Sequence, residues 1–179
     1  MSTDLEDLLG EFDEPQEAQS GSEEKSAILI IDDDESIRRG IKNALSSKYR
    51  VVTAETGRQG LELLSDEIHC VVLDVKMQEL SGFQTYPKLK NKNPDIPIIF
   101  FTAYQSEHDL KQVVNEFKPE GYVDKGGDYP TLSSLIERAV LSYKAVKMEK
   151  EKVKSLEQEL VRIRVSKQIK PSSGGIPWV

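Results

Sequence analysis

Residues able to do chemistry stand at four places in the chain: Asp32-Asp33-Asp34, Asp74, Thr102 and Lys125. Carboxylates crowded into one crevice repel, and their pKa values rise unless a cation sits among them. A hard divalent cation relieves that crowding. Mg²⁺ suits one or two carboxylates, a backbone carbonyl, waters and a phosphoryl oxygen. The sequence has two His and one Cys, so it offers no competing nitrogen or sulfur cluster. A carboxylate is also a nucleophile toward phosphorus and gives an acyl phosphate. That transfer needs a metal to neutralise the phosphoryl oxygens, together with positioned donors. Thr102 can donate a hydroxyl hydrogen bond, and Lys125 can place an ammonium as a point charge. Singly these residues are ordinary. An Asp after a strand is commonly a helix N-cap, so Asp33 and Asp34 are each open to being only that.

The elements around these residues decide whether they meet. Ala27 to Ile31 is a continuous apolar run, as expected for a strand buried on both faces of a parallel sheet. A helix follows over 35–47, with Ile37, Ile41, Ala44 and Leu45 on one stripe. Residues 50–54 read as a second strand, and 57–66 as a helix carrying Leu61, Leu63 and Leu64. Cys70 to Leu73 is a third strand ending at Asp74, followed by a helix around 83–91. Ile96 to Phe101 is a fourth strand ending at Thr102, and a helix near 106–117 carries Leu110, Val113, Val114 and Phe117. Gly121 to Val123 is a short fifth strand ending near Lys125, and a last helix begins near Tyr129 or Pro130. Five strands alternating with five helices imply βαβ units and a parallel sheet covered on both faces. Ligands bind such sheets beyond the carboxyl ends of the strands, which is where the four groups fall.

Ile28 to Glu35, with its Asp32-Asp33 pair, resembles the opening of the receiver domains of two-component response regulators. Val71 to Met77 with Ser81-Gly82 resembles the family's phospho-acceptor segment. Ile98 to Ala103 resembles its switch-threonine segment, and Gly121 to Lys125 its lysine segment. The match covers about residues 26–143. It implies a doubly wound α/β fold: a five-stranded parallel sheet of flavodoxin-like order 2-1-3-4-5, here with an extended C-terminal helix. It implies that Asp74 is phosphorylated and that Asp32, Asp33, Asp74 and the backbone carbonyl of Lys76 bind Mg²⁺. Thr102 and Lys125 join Asp74 as the catalytic set, and Tyr122 moves with Thr102 as the switch pair. The implied partners are a histidine kinase or phosphotransfer protein and a downstream protein. The signal would leave through the fourth helix, fifth strand and fifth helix. By the same resemblance the protein is no enzyme beyond its own phosphorylation and dephosphorylation. Three departures bear on kinetics. Gln78 and Gly126-Gly127 stand where the family usually has proline, and Lys76 flanks the path of attacking water.

Charge divides the chain: residues 1–24 carry −9, 25–143 carry −3 and 144–179 carry +5, together −7. An acidic chain with an acidic head is poorly suited to non-specific DNA binding as a whole. Cys70 excludes an intrachain disulfide. The start lacks the basic and apolar regions of a signal peptide, and no apolar run reaches the 18 residues that suggest a membrane span. The expected compartment is the cytoplasm. Residues 1–26 read as an acidic disordered tail, in which Leu5, Leu8, Leu9 and Phe12 share one helical face. Residues 27–143 read as the receiver domain, 144–168 as a helical, coiled-coil extension and 169–179 as a disordered tail after Pro171.

The extension follows from spacing. Leu132, Leu135, Ala139, Ser142, Val146, Glu149, Val153, Leu156, Leu160 and Ile163 alternate by three and four, as in a heptad seam. A helix over 130–168 would be roughly 55–60 Å long, and a homodimer through those residues would cover its stripe. The last 36 residues have no room for a DNA-binding, cyclase or kinase domain, leaving a stand-alone regulator or a piece of a larger protein. Two other readings stay open: a pseudo-receiver that binds partners without phosphorylation, and a coiled-coil adaptor. A flavin protein of similar strand order is disfavoured because Asp32-Asp33-Asp34 would repel the flavin phosphate.

Overall fold

The computed structural model describes residues 25–103, 117–126 and 129–168, with side chains in the last stretch as far as 165. Five strands form one sheet: β1 (Ala27–Ile31), β2 (Arg50–Ala54), β3 (Ile68–Leu73), β4 (Ile98–Thr102) and β5 (Gly121–Asp124). Its order is β2-β1-β3-β4-β5, and every adjacent pair is parallel. The helices are α1 (Glu35–Leu45), α2 (Gly57–Leu63), α3 (Gly82–Lys92) and α4 (Tyr129–Gln168). The expected doubly wound α/β sheet with a long C-terminal helix is therefore present. The helix expected near 106–117 lies outside the described residues apart from Phe117, as do the features expected in 1–24 and 169–179.

Alternation along β1 explains why it carries no polar residue. Ala27, Leu29 and Ile31 join a core with Leu64 and with Tyr86 and Leu89 of α3. Ile28 and Ile30 face the other way, into a core with Ile41 and Leu45 of α1 and Leu132, Ile136, Ala139 and Val140 of α4. Burying each such aliphatic side chain contributes about 1.5–3 kcal/mol. Two stripe residues behave otherwise than expected: Ala44 and Leu63 are exposed. Helix α2 stops at Leu63, and the extended backbone of Leu64 turns that side chain inward in its place.

An aromatic cluster fixes the far side of the sheet. Phe83 stacks on Phe117 at 5.5 Å, Tyr86 stacks on Phe100 at 5.5 Å, and the Tyr86 hydroxyl donates to the Phe117 carbonyl. Such pairs add about 0.5–1.5 kcal/mol beyond area burial and hold β4, whose last residue is Thr102.

Helix α4 changes character along its length. Leu132, Ile136 and Ala139 are buried in their own domain, whereas Val153, Leu156, Leu160 and Ile163 are exposed. The expected pairing stripe of 130–168 is thus narrowed, because its first part is already used inside the chain. No described helix is long and apolar enough to cross a membrane.

Candidate functional site

The strand ends build the site one after another. Beyond β1, the Asp32 N–H donates to the Ala54 carbonyl at 3.1 Å. Its own carbonyl accepts from Arg38 at 2.6 Å, and its Oδ1 accepts from the Asp34 N–H at 2.9 Å. Three attachments aim a side chain that is only 2% exposed. Asp34 turns away and caps α1, accepting from the N–H groups of Ser36 at 2.7 Å and Ile37 at 3.4 Å. Those hydrogen bonds hold its carboxyl below the usual carboxylate range. The capping question is settled: Asp34 is the cap. Asp33 is left to accept the Gln78 N–H at 3.3 Å.

Beyond β3, the Asp74 N–H donates to the Ile31 carbonyl at 2.8 Å, and the residue is 3% exposed. The next loop folds tightly onto it. The Gly82 N–H donates to Val75, and a Cβ at position 82 would lie 2.2 Å from the Asp74 carbonyl oxygen. Only glycine fits that approach. Lys76, on the same loop, has its side chain in solvent. Ligand oxygens of Asp32, Asp33 and Asp74 all lie within 4.8 Å of one another.

Beyond β5, Lys125 reaches over this group. Its ammonium is 2.7 Å from Asp32 Oδ2 and 3.1 Å from Asp74 Oδ2. Burial pulls the Lys125 pKa down, but the hydrogen bond to Asp32 and the two carboxylate charges outweigh it, so the value ends above that of an ordinary lysine. Asp32 shows the opposite balance: burial raises its carboxyl despite Lys125 and the Asp34 N–H. Three carboxylates thus share this crevice with one lysine ammonium. Beyond β4, Thr102 is 1% exposed. Its Oγ1 and Asp74 Oδ1 are buried with no hydrogen-bond partner among the described residues. A buried polar atom left so costs about 1–3 kcal/mol, and such atoms mark a place for a ligand. An all-oxygen donor set of three carboxylates could hold a divalent cation.

The sequence-predicted Asp32, Asp33, Asp74 and Lys125 therefore converge, and Thr102 lies beside them through its carbonyl, which accepts from the Lys125 N–H at 3.0 Å. Tyr122 is half-buried on β5, opposite Phe100 of β4 in register. Sequence reasoning missed two supports, Arg38 on the Asp32 carbonyl and the Gln78 N–H on Asp33. Arg38 stands four residues after the α1 cap, so helix spacing could have pointed to it. The Gln78 contact is a backbone one and leaves no sequence signal.

The family model of the response regulator receiver domain matches residues 28–137. The chain belongs to this family. The receiver domain is similar to the transcriptional regulatory protein YrkP of Bacillus subtilis, at 30% identity over 79% of this chain and 60% of that protein. It is also similar to the transcriptional regulatory protein GlrR of Escherichia coli, at 32% identity over 66% of this chain and 28% of that protein. The chain thus spans less than two thirds of either relative. Among solved structures, a response regulator receiver domain protein from Clostridium thermocellum superposes with a TM-score of 0.63 at 27% identity. That match covers 68% of this chain and 98% of the other.

Proposed function

We propose that this receiver domain takes a phosphoryl group onto Asp74 from a histidine kinase or phosphotransfer protein and passes a conformational signal onward. One observation carries the reading. Asp74 gives one oxygen to Lys125, while Oδ1 is buried with no hydrogen-bond partner among the described residues, which leaves a lone pair for phosphorus. Attack forms the Asp74 O–P bond and breaks the donor's P–N bond, and the electron pair leaves with the imidazole nitrogen. The Lys125 ammonium and the Thr102 hydroxyl would donate hydrogen bonds to the new phosphoryl oxygens. The carboxylate cluster fits Mg²⁺, which Asp32, Asp33 and Asp74 and, by the family resemblance, the Lys76 carbonyl would hold. When bound, it would neutralise phosphoryl charge.

Phosphorylation would give the Thr102 hydroxyl the acceptor it lacks. Thr102 and Tyr122 then act as the switch pair, altering the surface of β5 and the start of α4. A protein partner in the cytoplasm reads that surface. The test is intact mass after incubation with an acyl-phosphate donor and Mg²⁺. A gain of one phosphoryl group, absent in Asp74→Ala and without Mg²⁺, is expected. No gain in the wild-type chain would make it a pseudo-receiver that binds partners through its shape alone.

A further inference from the structure

The half of α4 that leaves the domain carries an apolar pattern that stays exposed beside the described residues. Val153, Leu156, Leu160 and Ile163 are 50%, 53%, 58% and 43% exposed. Their spacing of three, four and three sets them in one seam, at positions a, d, a and d of a heptad. Glu149, one step earlier, ends the apolar run on the domain side. The helix beneath the seam is already nucleated, since its first turns are docked in the core. A partner therefore meets formed helix and need not order it.

Two observations say what covers the seam. First, the described part of the domain leaves it clear. Tyr143, Lys147 and Lys150 reach the domain, the first two through Asn93 and the Asp66 carbonyl and the third through Asp95. At 3.6 residues per turn their face lies roughly 120° around the helix from the seam. A second helix can seat there without releasing them. Second, the flanking charges complement themselves. Positions g are Lys152 and Glu159, and positions e are Glu157 and Arg164. In a parallel pair Lys152 faces the other copy's Glu157, and Glu159 faces its Arg164. In an antiparallel pair Lys152 faces Glu159, and Glu157 faces Arg164. Either way all four flanking contacts of the dimer join opposite signs, and flanking charges of this kind select the partner.

We propose that residues 149–168 of α4 pair with the same residues of a second copy of this chain, forming a two-stranded coiled coil. Pairing through the seam needs neither Mg²⁺ nor a phosphoryl group, so it can fail separately from phosphorylation of Asp74. The test is sedimentation equilibrium on the full chain over a concentration series in a metal-free buffer. A dimer mass is expected for the wild type. Leu156→Asp with Leu160→Asp should return the monomer, whereas Val161→Asp with Val165→Asp, off the seam, should leave the dimer. Circular dichroism and urea unfolding check that each variant is folded.

Lys152→Glu should weaken pairing on the order of tenfold, since two favourable contacts become unfavourable. Adding Glu157→Lys restores it in a parallel pair, and adding Glu159→Lys restores it in an antiparallel pair. Restoration by either supports the seam. A monomeric wild type, a dimer untouched by the seam variants, or no restoration by either second change would overturn the proposal.

Discussion

At the carboxyl ends of the strands Asp74 Oδ1 and Thr102 Oγ1 are buried without partners. At the amino ends, polar atoms at part-buried and exposed positions are satisfied. The Tyr143 hydroxyl accepts from Asn93 at 2.9 Å, His69 Nδ1 accepts from the Ala27 N–H at 3.3 Å, and the Lys147 ammonium donates to the Asp66 carbonyl at 3.0 Å. One sheet therefore has an end where local rules agree and an end where they conflict. Proteins break such rules at functional sites and compensate elsewhere. The carboxyl end leaves polar atoms open, and the amino end uses its polar atoms to hold α4 in place.

The largest expected effect tests that division directly. Asp74→Asn should abolish phosphoryl incorporation measured by intact mass. In chelator its unfolding midpoint should not fall, because one of three crowded carboxylates is gone. A large loss of stability would mean that Asp74 is structural and that the two ends are alike.

Lys125→Ala comes next. Its side chain is 13% exposed and is the cation on Asp32 and Asp74. Removing one partner of a buried pair costs about 3–5 kcal/mol. Urea unfolding in chelator should show that loss, and Mg²⁺ should recover part of it, since a divalent ion would replace the missing charge. Equal losses with and without Mg²⁺ would separate the lysine from the metal site.

The amino end should respond more mildly and without chemistry. Tyr143→Phe removes the hydroxyl that accepts from Asn93 and keeps the ring that meets His69 edge-on at 6.0 Å. A loss of about 1 kcal/mol is expected, with phosphoryl uptake unchanged. Slower uptake would show that the two ends are coupled through α4.

Much of this contrast was legible in the residues themselves. A short, β-branched apolar run such as Ile28 to Ile31, alternating along the chain with helical stripes, reads as a strand buried on both faces, so strand ends, and with them Asp32, Asp74, Thr102 and Lys125, could be placed from order. What stayed hidden was set by tertiary geometry. Asp33 and Asp34 are chemically identical, and only the turn into α1 decides which one caps and which faces the site. Gly82 was visible as part of a motif, but its reason, a backbone oxygen 2.2 Å from any Cβ, is not. The α4 stripe read as one seam because spacing cannot tell a core from an interface. Leu132 and Leu160 obey the same period, yet one is 1% and the other 58% exposed.

The smallest effect concerns His69 and pH. Burial lowers its pKa below the ordinary 6.5, and the charges of Lys144 and Lys147 on α4 and Arg50 on β2 add to that. Its Nδ1 accepts from Ala27, so a proton there would break the contact. The unfolded chain therefore binds this proton more readily than the folded one, and stability rises with pH across the interval. The contribution is complete above the unfolded value of about 6.5 and is lost as pH falls through the lower folded value. His69→Gln keeps an acceptor for Ala27 and cannot titrate. Comparing unfolding midpoints of the two proteins between neutral and mildly acid pH cancels the carboxylates at the other end of the sheet. The wild type should lose more of its midpoint than the variant. Parallel curves would show that the amino end carries no proton-linked strain, leaving the contrast between the ends to rest on the carboxylates alone.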